Sequence, residues 1–240
     1  MHRILHIPKP VSGFTPVGYG LLFNWHAALY STGGASIAPA GWHVPSQTEW
    51  QTLIDNLTGN TTNDKIASLR STEVTFQQSP QGTNTTGFSL KGSGYRDIFG
   101  GTFNHITNID WIISTTFAFD YLGYHYYYFM NVSPVDLEAD AFNPMAQGSP
   151  IRLIKDDSTD PGSMTDFDGN VYQTVKIGDQ VWMAQNLIVT HFNDGTVIPW
   201  YGANSANYFT NAEWAALTIA GCCAYNNFVA NVAPGFSFPA

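Results

Sequence analysis

Gly41-Trp42-His43-Val44-Pro45-Ser46-Gln47-Thr48-Glu49-Trp50-Gln51-Thr52-Leu53 reads as a buried turn that runs straight into a helix. Ser46 is placed as the N-cap and Glu49, three residues on, closes a capping box, each side chain satisfying a backbone N–H that the first helical turn leaves unpaired. Trp50, Leu53, Ile54 and Leu57 then recur at i, i+3, i+4 and i+7, which is one apolar face, and Gly59 suits a C-terminal stop. Nothing in the stretch carries catalytic chemistry. His43, between Trp42 and Val44, reads as a hydrogen-bonded core residue, because buried polar groups are normally paired. The helix is a scaffold element in a chain otherwise rich in aromatics, Thr, Asn and Gly.

Upstream, residues 1–16 read as an arm, since Pro8, Pro10 and Pro16 oppose both helix and central strand. Tyr19 to Leu29, with Leu21, Leu22, Phe23 and Trp25, should be core, and Ser31 to Ala40 is a loop of small residues. Downstream, a short helix is expected over 64–70. Gly94 to Asp97 should open a strand, with Phe99 to Phe103 turning the chain back. Strands are expected over 110–116, 121–132 and 151–155, with 133–150 irregular. Asp156 to Ser163 is linker-like, and Val171–Ile177 and Val181–Leu187 form a hairpin around Gly178-Asp179. Asp194-Gly195 marks a further turn. Thr210 to Glu213 repeats the capping-box signal ahead of Trp214. The pattern is α+β, made of short antiparallel strands and long loops with two short helices.

Charged residues make up only 11% of the 240 and aromatics 15%, a profile that suits a turn-rich extracellular or virion protein better than a cytosolic enzyme. A net charge of −9 with nine Lys and Arg argues against nucleic acid and anionic membrane surfaces, both of which need a basic face. Met1 to Pro10 lacks the apolar core of a secretory signal, and no run approaches the roughly 18 apolar residues of a membrane span, so no membrane insertion is expected. The adjacent Cys222 and Cys223 are badly placed for a mutual bridge and are not spaced for zinc. They read as small apolar side chains on a strand.

The chemistry-bearing residue types do not converge. The seven histidines (His2, His6, His26, His43, His105, His125, His191) show no metal-ligand spacing, and no Gly-x-Ser-x-Gly elbow is present. Asp166-Phe167-Asp168-Gly169-Asn170 begins like a calcium loop, but no Glu arrives at the twelfth position, so a turn explains it. The expectation is therefore no metal, no cofactor and no enzyme. The informative stretch is Tyr121 to Asn131, because tyrosine offers a large amphipathic contact area at small entropic cost. Strand alternation puts Tyr124, Tyr126 and Tyr128 on one face and His125, Tyr127 and Phe129 on the other. The candidate binding residues are Tyr124, Tyr126, Tyr128, His125 and Asn131. The competing reading is that these aromatics cover core and strand edges.

Asp168 to Leu187, Tyr19 to Ala28, Gly41 to Trp50, Gly94 to Asp97, Trp111 to Thr116 and Ile151 to Asp156 together resemble the Fibrobacter succinogenes major paralogous domain. The resemblance implies a C-type-lectin-like fold, also used by variable receptor-binding proteins and formylglycine-generating enzymes. Their order is rotated. The Asp-Gly-Asn-x-Tyr hairpin that opens the family comes last here, and Asn226 to Pro234 looks like the segment that normally runs into Tyr19 to Trp25. Residues 17–157 are thus read as the lectin-like core, and residues 158–240 as the family's N-terminal part. That part either completes the same domain by circular permutation or completes a neighbouring subunit by exchange, unless the chain is a piece of a tandem array. In the permuted case Ile151–Asp156 should lie beside Val171–Ile177.

Positions where the family commonly carries cysteines hold Ala38 and Leu153, which suits maturation in a reducing compartment. The sugar-calcium motifs of C-type lectins and the cysteine pair of formylglycine-generating relatives are missing as well. These features imply a non-enzymatic, homo-oligomeric module of a phage virion, either decorating a capsid or tail or adhering to a bacterial surface glycan or protein. The alternatives are a secreted bacterial surface adhesin and, behind it, a formylglycine-generating-like enzyme.

Overall fold

The computed structural model of the chain describes residues 18–159, 161–201, 210–233 and 236. The proline-rich arm at 1–16 lies outside them. Twelve short strands and four α-helices are present among these residues, and every strand pairing within a sheet is antiparallel. In chain order they are β1 (Leu22–Phe23), α1 (Trp25–Ala28), β2 (Trp42–His43), α2 (Gln47–Asn56), α3 (Thr62–Leu69), β3 (Tyr95–Arg96), β4 (Phe103–Asn104), β5 (Asp110–Tyr121), β6 (Tyr124–Val132), β7 (Leu137–Pro144), β8 (Ile154–Lys155), β9 (Ser163–Thr165), β10 (Val171–Ile177), β11 (Gln180–Met183), α4 (Asn211–Ala215) and β12 (Cys222–Cys223). The architecture is α+β.

The opening stretch folds as its caps dictate. Ser46 Oγ accepts from the Glu49 N–H, and the Glu49 carboxylate accepts from the Ser46 N–H at 2.8 Å. Helix α2 stops at Asn56, because Leu57 is extended; Leu57 still buries its side chain, and Gly59 lies beyond the stop. The same reciprocal cap recurs at Thr61/Asp64 on α3 and at Thr210/Glu213 on α4. Sequence reading expected two helices and missed the single turn α1. Its N-cap, Asn24, also accepts from the Gly221 N–H and donates to the Ile219 carbonyl.

Early and late parts of the described chain meet in two of the four sheets. In the five-stranded sheet the order is β2-β8-β11-β10-β9. Ile154 faces both His43 and Trp182, so the neighbour of the 154–155 strand is β11 and not β10, as the sequence reading had it. The linker is partly strand, since β9 pairs with β10. Strand β1 pairs with β12, the Tyr19 N–H donates to the Asn231 carbonyl at 2.8 Å, and the Gly20 N–H donates to the Val232 carbonyl at 2.9 Å. The core follows suit. Trp50 of α2 stacks on Trp182 of β11 at 4.5 Å, with Ile177, Ile112 and Met130 in the same cluster. A second cluster joins Phe23 and Trp25 to Met183 and Leu187.

Three arginines are fully buried and act as ties. Arg152 lies over Phe88 and donates to Asn186 Oδ1 at 2.7 Å, to the Ser89 carbonyl at 3.2 Å and to the Phe88 carbonyl. Asn186 in turn donates to the Tyr19 carbonyl and to Ser93 Oγ. Arg70 sits over Phe76, and Arg96 over Trp214. A planar guanidinium suits these places, because it stacks on a ring while its edge donates several bonds.

Candidate functional site

The remaining sheet, β5-β6-β7, carries the tyrosine stretch. Two corrections to the sequence reading decide its shape. Strand β5 continues through Tyr121, and residues 137–144, expected to be irregular, form the third strand. Leu122 and Gly123 are the two loop residues of the β5–β6 hairpin, both with positive φ (49° and 81°), and Tyr121 faces Tyr124 across it. That conformation matches the twist of a two-residue hairpin.

At its root the sheet is pinned. Where the β5 register shifts, Trp25 Nε1 donates to the Ser114 carbonyl at 2.8 Å, the Thr115 N–H donates to the Pro45 carbonyl at 2.8 Å, and the Gln47 N–H donates to Thr116 Oγ1 at 2.9 Å. The face that holds Ile112, Met130, Val132 and Ala139 packs on Trp50 and Ile54 of α2. The distal half leaves that cover, and residues on both of its faces reach solvent.

Cross-strand partners point to the same face. Tyr126 is the partner of Phe119, and Tyr128 of Phe142. Phe119 stacks on Tyr126 at 5.0 Å, and Phe142 meets Phe119 edge-on at 4.7 Å. Tyr124 and Phe142 are 47% and 49% exposed, and Leu122 at the apex 79%, so the stripe reaches solvent and is not core. Asp140, two residues before Phe142, is exposed and has no hydrogen bond or ion pair among the described residues. On the other face Phe117 meets the half-buried Tyr127 edge-on at 5.6 Å. Burial, with Asp120 adding to it, pushes the Tyr127 phenol up, so it stays protonated. His125 Nδ1 bonds the Asp120 carboxylate at 2.5 Å.

The structure therefore brings Tyr124, Tyr126, Tyr128 and His125 to one distal half-sheet. Asn131 is not with them. It is buried near the root, its Oδ1 accepting from Trp111 Nε1 and its Nδ2 donating to Glu138, so its amide is already occupied. Sequence reasoning missed Phe119, Asp140 and Phe142, and included Tyr121 and Leu122 in its stretch without counting them among the candidates. The i, i+2 spacing of Phe119 and Tyr121 was a usable signal for the first of these, whereas a register shift sets Phe117 on the other face.

Elsewhere, two acidic clusters are internally satisfied. Asp166 accepts from Asn170 and from the Tyr172 hydroxyl at 2.5 Å. Asp168 accepts from the Thr190 N–H and hydroxyl and bonds His191 Nδ1 at 2.5 Å. These carboxylates tie a turn to a neighbouring segment. No group of three or more His, Cys, Asp or Glu able to hold a metal ion occurs among the described residues. Cys222 and Cys223 are free and buried, and burial pushes both thiols up, Cys223 to about 11. His43 is half-exposed, where the sequence reading placed it in the core. Its Nδ1 lies 2.6 Å from Asp156 and its Nε2 2.8 Å from Glu49. No described helix is long and apolar enough to cross a membrane.

The family model of the Fibrobacter succinogenes major domain matches residues 15–155. No curated protein and no solved structure matches the chain. The match ends at the β8 strand, so β9 to β12 lie beyond it while completing the same sheets.

Proposed function

The chain belongs to the Fibrobacter succinogenes major domain family, and from that premise we propose that it is a non-enzymatic binding or decoration module with a C-type-lectin-like fold, carried on a phage virion or a bacterial surface. The observation that carries this reading is the distal half of β5-β6-β7, an uncovered aromatic face on a sheet pinned at its root. Exposed aromatic patches of this kind are uncommon on surfaces that bind nothing. The partner is a bacterial surface glycan or protein, or another virion protein.

Residues 158–240 belong to the same reading as the family's opening segment in rotated order. The bonds from Tyr19 and Gly20 to Asn231 and Val232, with β1 on β12, support closure within one chain. Exchange with a neighbour would form the same contacts between copies, and a homo-oligomer would follow. Mass in solution separates the two, a strict monomer being the outcome that fits closure.

The test of the site is a Tyr124→Ser/Phe142→Ser variant. Both side chains are about half exposed, so the fold should survive, with a melting temperature within a few degrees of the parent. Binding to a panel of bacterial cells and to purified particles should fall at least tenfold. Unchanged binding would remove the face from consideration. The enzymatic alternative would need reactive cysteines, and both thiols here are buried; oxidation of a cysteine-containing peptide in the presence of copper would reinstate it.

A further inference from the structure

The chain's charge is not spread evenly. Residues 97–151 hold six carboxylates (Asp97, Asp110, Asp120, Asp136, Glu138 and Asp140) and no Lys or Arg, which is −6 of the chain's −9. That segment contains the whole aromatic face. Helix α2, which packs beside its root, adds Asp55 and no Lys or Arg, its Glu49 being paired with His43. Several carboxylates are committed internally. Asp110 accepts from the Gly92 and Ser93 N–H groups, Glu138 bonds Asn131, and Asp120 bonds His125. Asp140 is committed to nothing among the described residues and stands two residues before Phe142, itself the cross-strand partner of Tyr128.

A surface of this sign repels polyanions and gathers cations, because its field steers partners before contact. Aromatic rings beside an uncommitted carboxylate meet both demands of a guanidinium or ammonium group, since the ring face attracts the cation and the carboxylate accepts its N–H. The fold satisfies its own arginines in part by the same ring contact, with Arg70, Arg96 and Arg152 each lying 4.3–4.5 Å from an aromatic centroid.

Resting on the binding role given above, we propose that the occupant of this face is a basic polypeptide segment, whose Arg or Lys side chain lies against Tyr128 and Phe142 and pairs with Asp140. The partner is thus a protein, and anionic glycans are excluded by charge.

The probes are a hexa-arginine peptide, maltohexaose as a neutral glycan and polygalacturonate as an anionic one, titrated calorimetrically into the full chain at 20 and 200 mM salt. The peptide should bind, more weakly at the higher salt, and the two sugars should not. Phe142→Ser and Asp140→Asn should each weaken the peptide about tenfold, while Asp179→Asn, which removes an exposed charge in the β10–β11 turn, should change it less than twofold. Equal weakening by Asp179→Asn would reduce the effect to diffuse charge and overturn the proposal. So would maltohexaose binding that is lost in Phe142→Ser, or no peptide binding at all. If the Tyr124/Phe142 variant loses cell or particle binding while the parent ignores the peptide, the basic partner is wrong and the face is right. If that variant keeps its cell or particle binding, both are wrong.

Discussion

His43 offers the sharpest test of the fold's electrostatics. Its two ring nitrogens lie 2.6 and 2.8 Å from carboxylates on different segments, Asp156 just after β8 and Glu49 in the first turn of α2. Two acceptors require two donors, so the ring is an imidazolium. The hydrogen bond to Glu49, working against burial and helped by Asp156, raises His43 from 6.5 to about 9. Burial alone would raise the Glu49 carboxyl, but the His43 and Ser46 hydrogen bonds outweigh it and bring it to about 2.

A shift from 6.5 to about 9 corresponds nominally to about 3.4 kcal/mol. The ring is 41% exposed and Asp156 55%, so solvent screening brings this down to about 1 kcal/mol. Because the folded value is raised, the contribution is complete below pH 6.5 and fades as pH climbs through about 9. Glu49 has the opposite sense, its contribution being present above 4.5 and lost as pH falls through about 2. Urea unfolding of the parent and of His43→Gln at pH 6, 8 and 10, with an NMR titration of the imidazole, reads this directly. The parent should be about 1 kcal/mol more stable at pH 6, with the gap closing by pH 10. A His43 that titrates near 6.5, or a gap that persists at pH 10, would refute the clamp.

Two further outcomes are expected. Arg152→Ala should destabilise the chain by about 3–5 kcal/mol in chemical denaturation, because it strips the donors from the Phe88 and Ser89 carbonyls and from Asn186 at once; Arg152→Lys should recover little of this, having neither the planar fork nor the stack on Phe88. Cys222 and Cys223 should ignore a thiol reagent in the native state and both react in denaturant, since burial holds each thiol protonated; rapid native labelling would contradict their place in β12.

What was legible in the sequence was local. The Ser46 and Thr210 caps lie within three residues of their partners, so the signal and the bond are the same object. The β10–β11 hairpin likewise turns at Gly178, whose positive φ of 58° suits glycine. Strand β7 was not legible, because Leu-Glu-Ala-Asp-Ala-Phe-Asn-Pro has little strand propensity of its own and is a strand because β6 supplies its ladder. The apex was hidden for a related reason, since Leu122 is not a residue that turn chemistry favours at positive φ. Asn131 looked like part of the tyrosine face because alternation cannot reveal that Trp111 and Glu138 have already claimed its amide. The exposed half of the site therefore came through, and its far wall on β7 did not.

The bonds at the root of β5 also have a mechanical meaning. Ser114, Thr115 and Thr116 are fastened to Trp25, Pro45 and Gln47, and Trp50 Nε1 adds a fourth bond to the Ile113 carbonyl. The distal hairpin is thus a cantilever bolted to α1 and to the capped start of α2. A pull on its tip is shared among four bonds to two separate segments, α1 and the 45–50 stretch. On the binding role proposed above, such a root would let the tip hold a partner under tension.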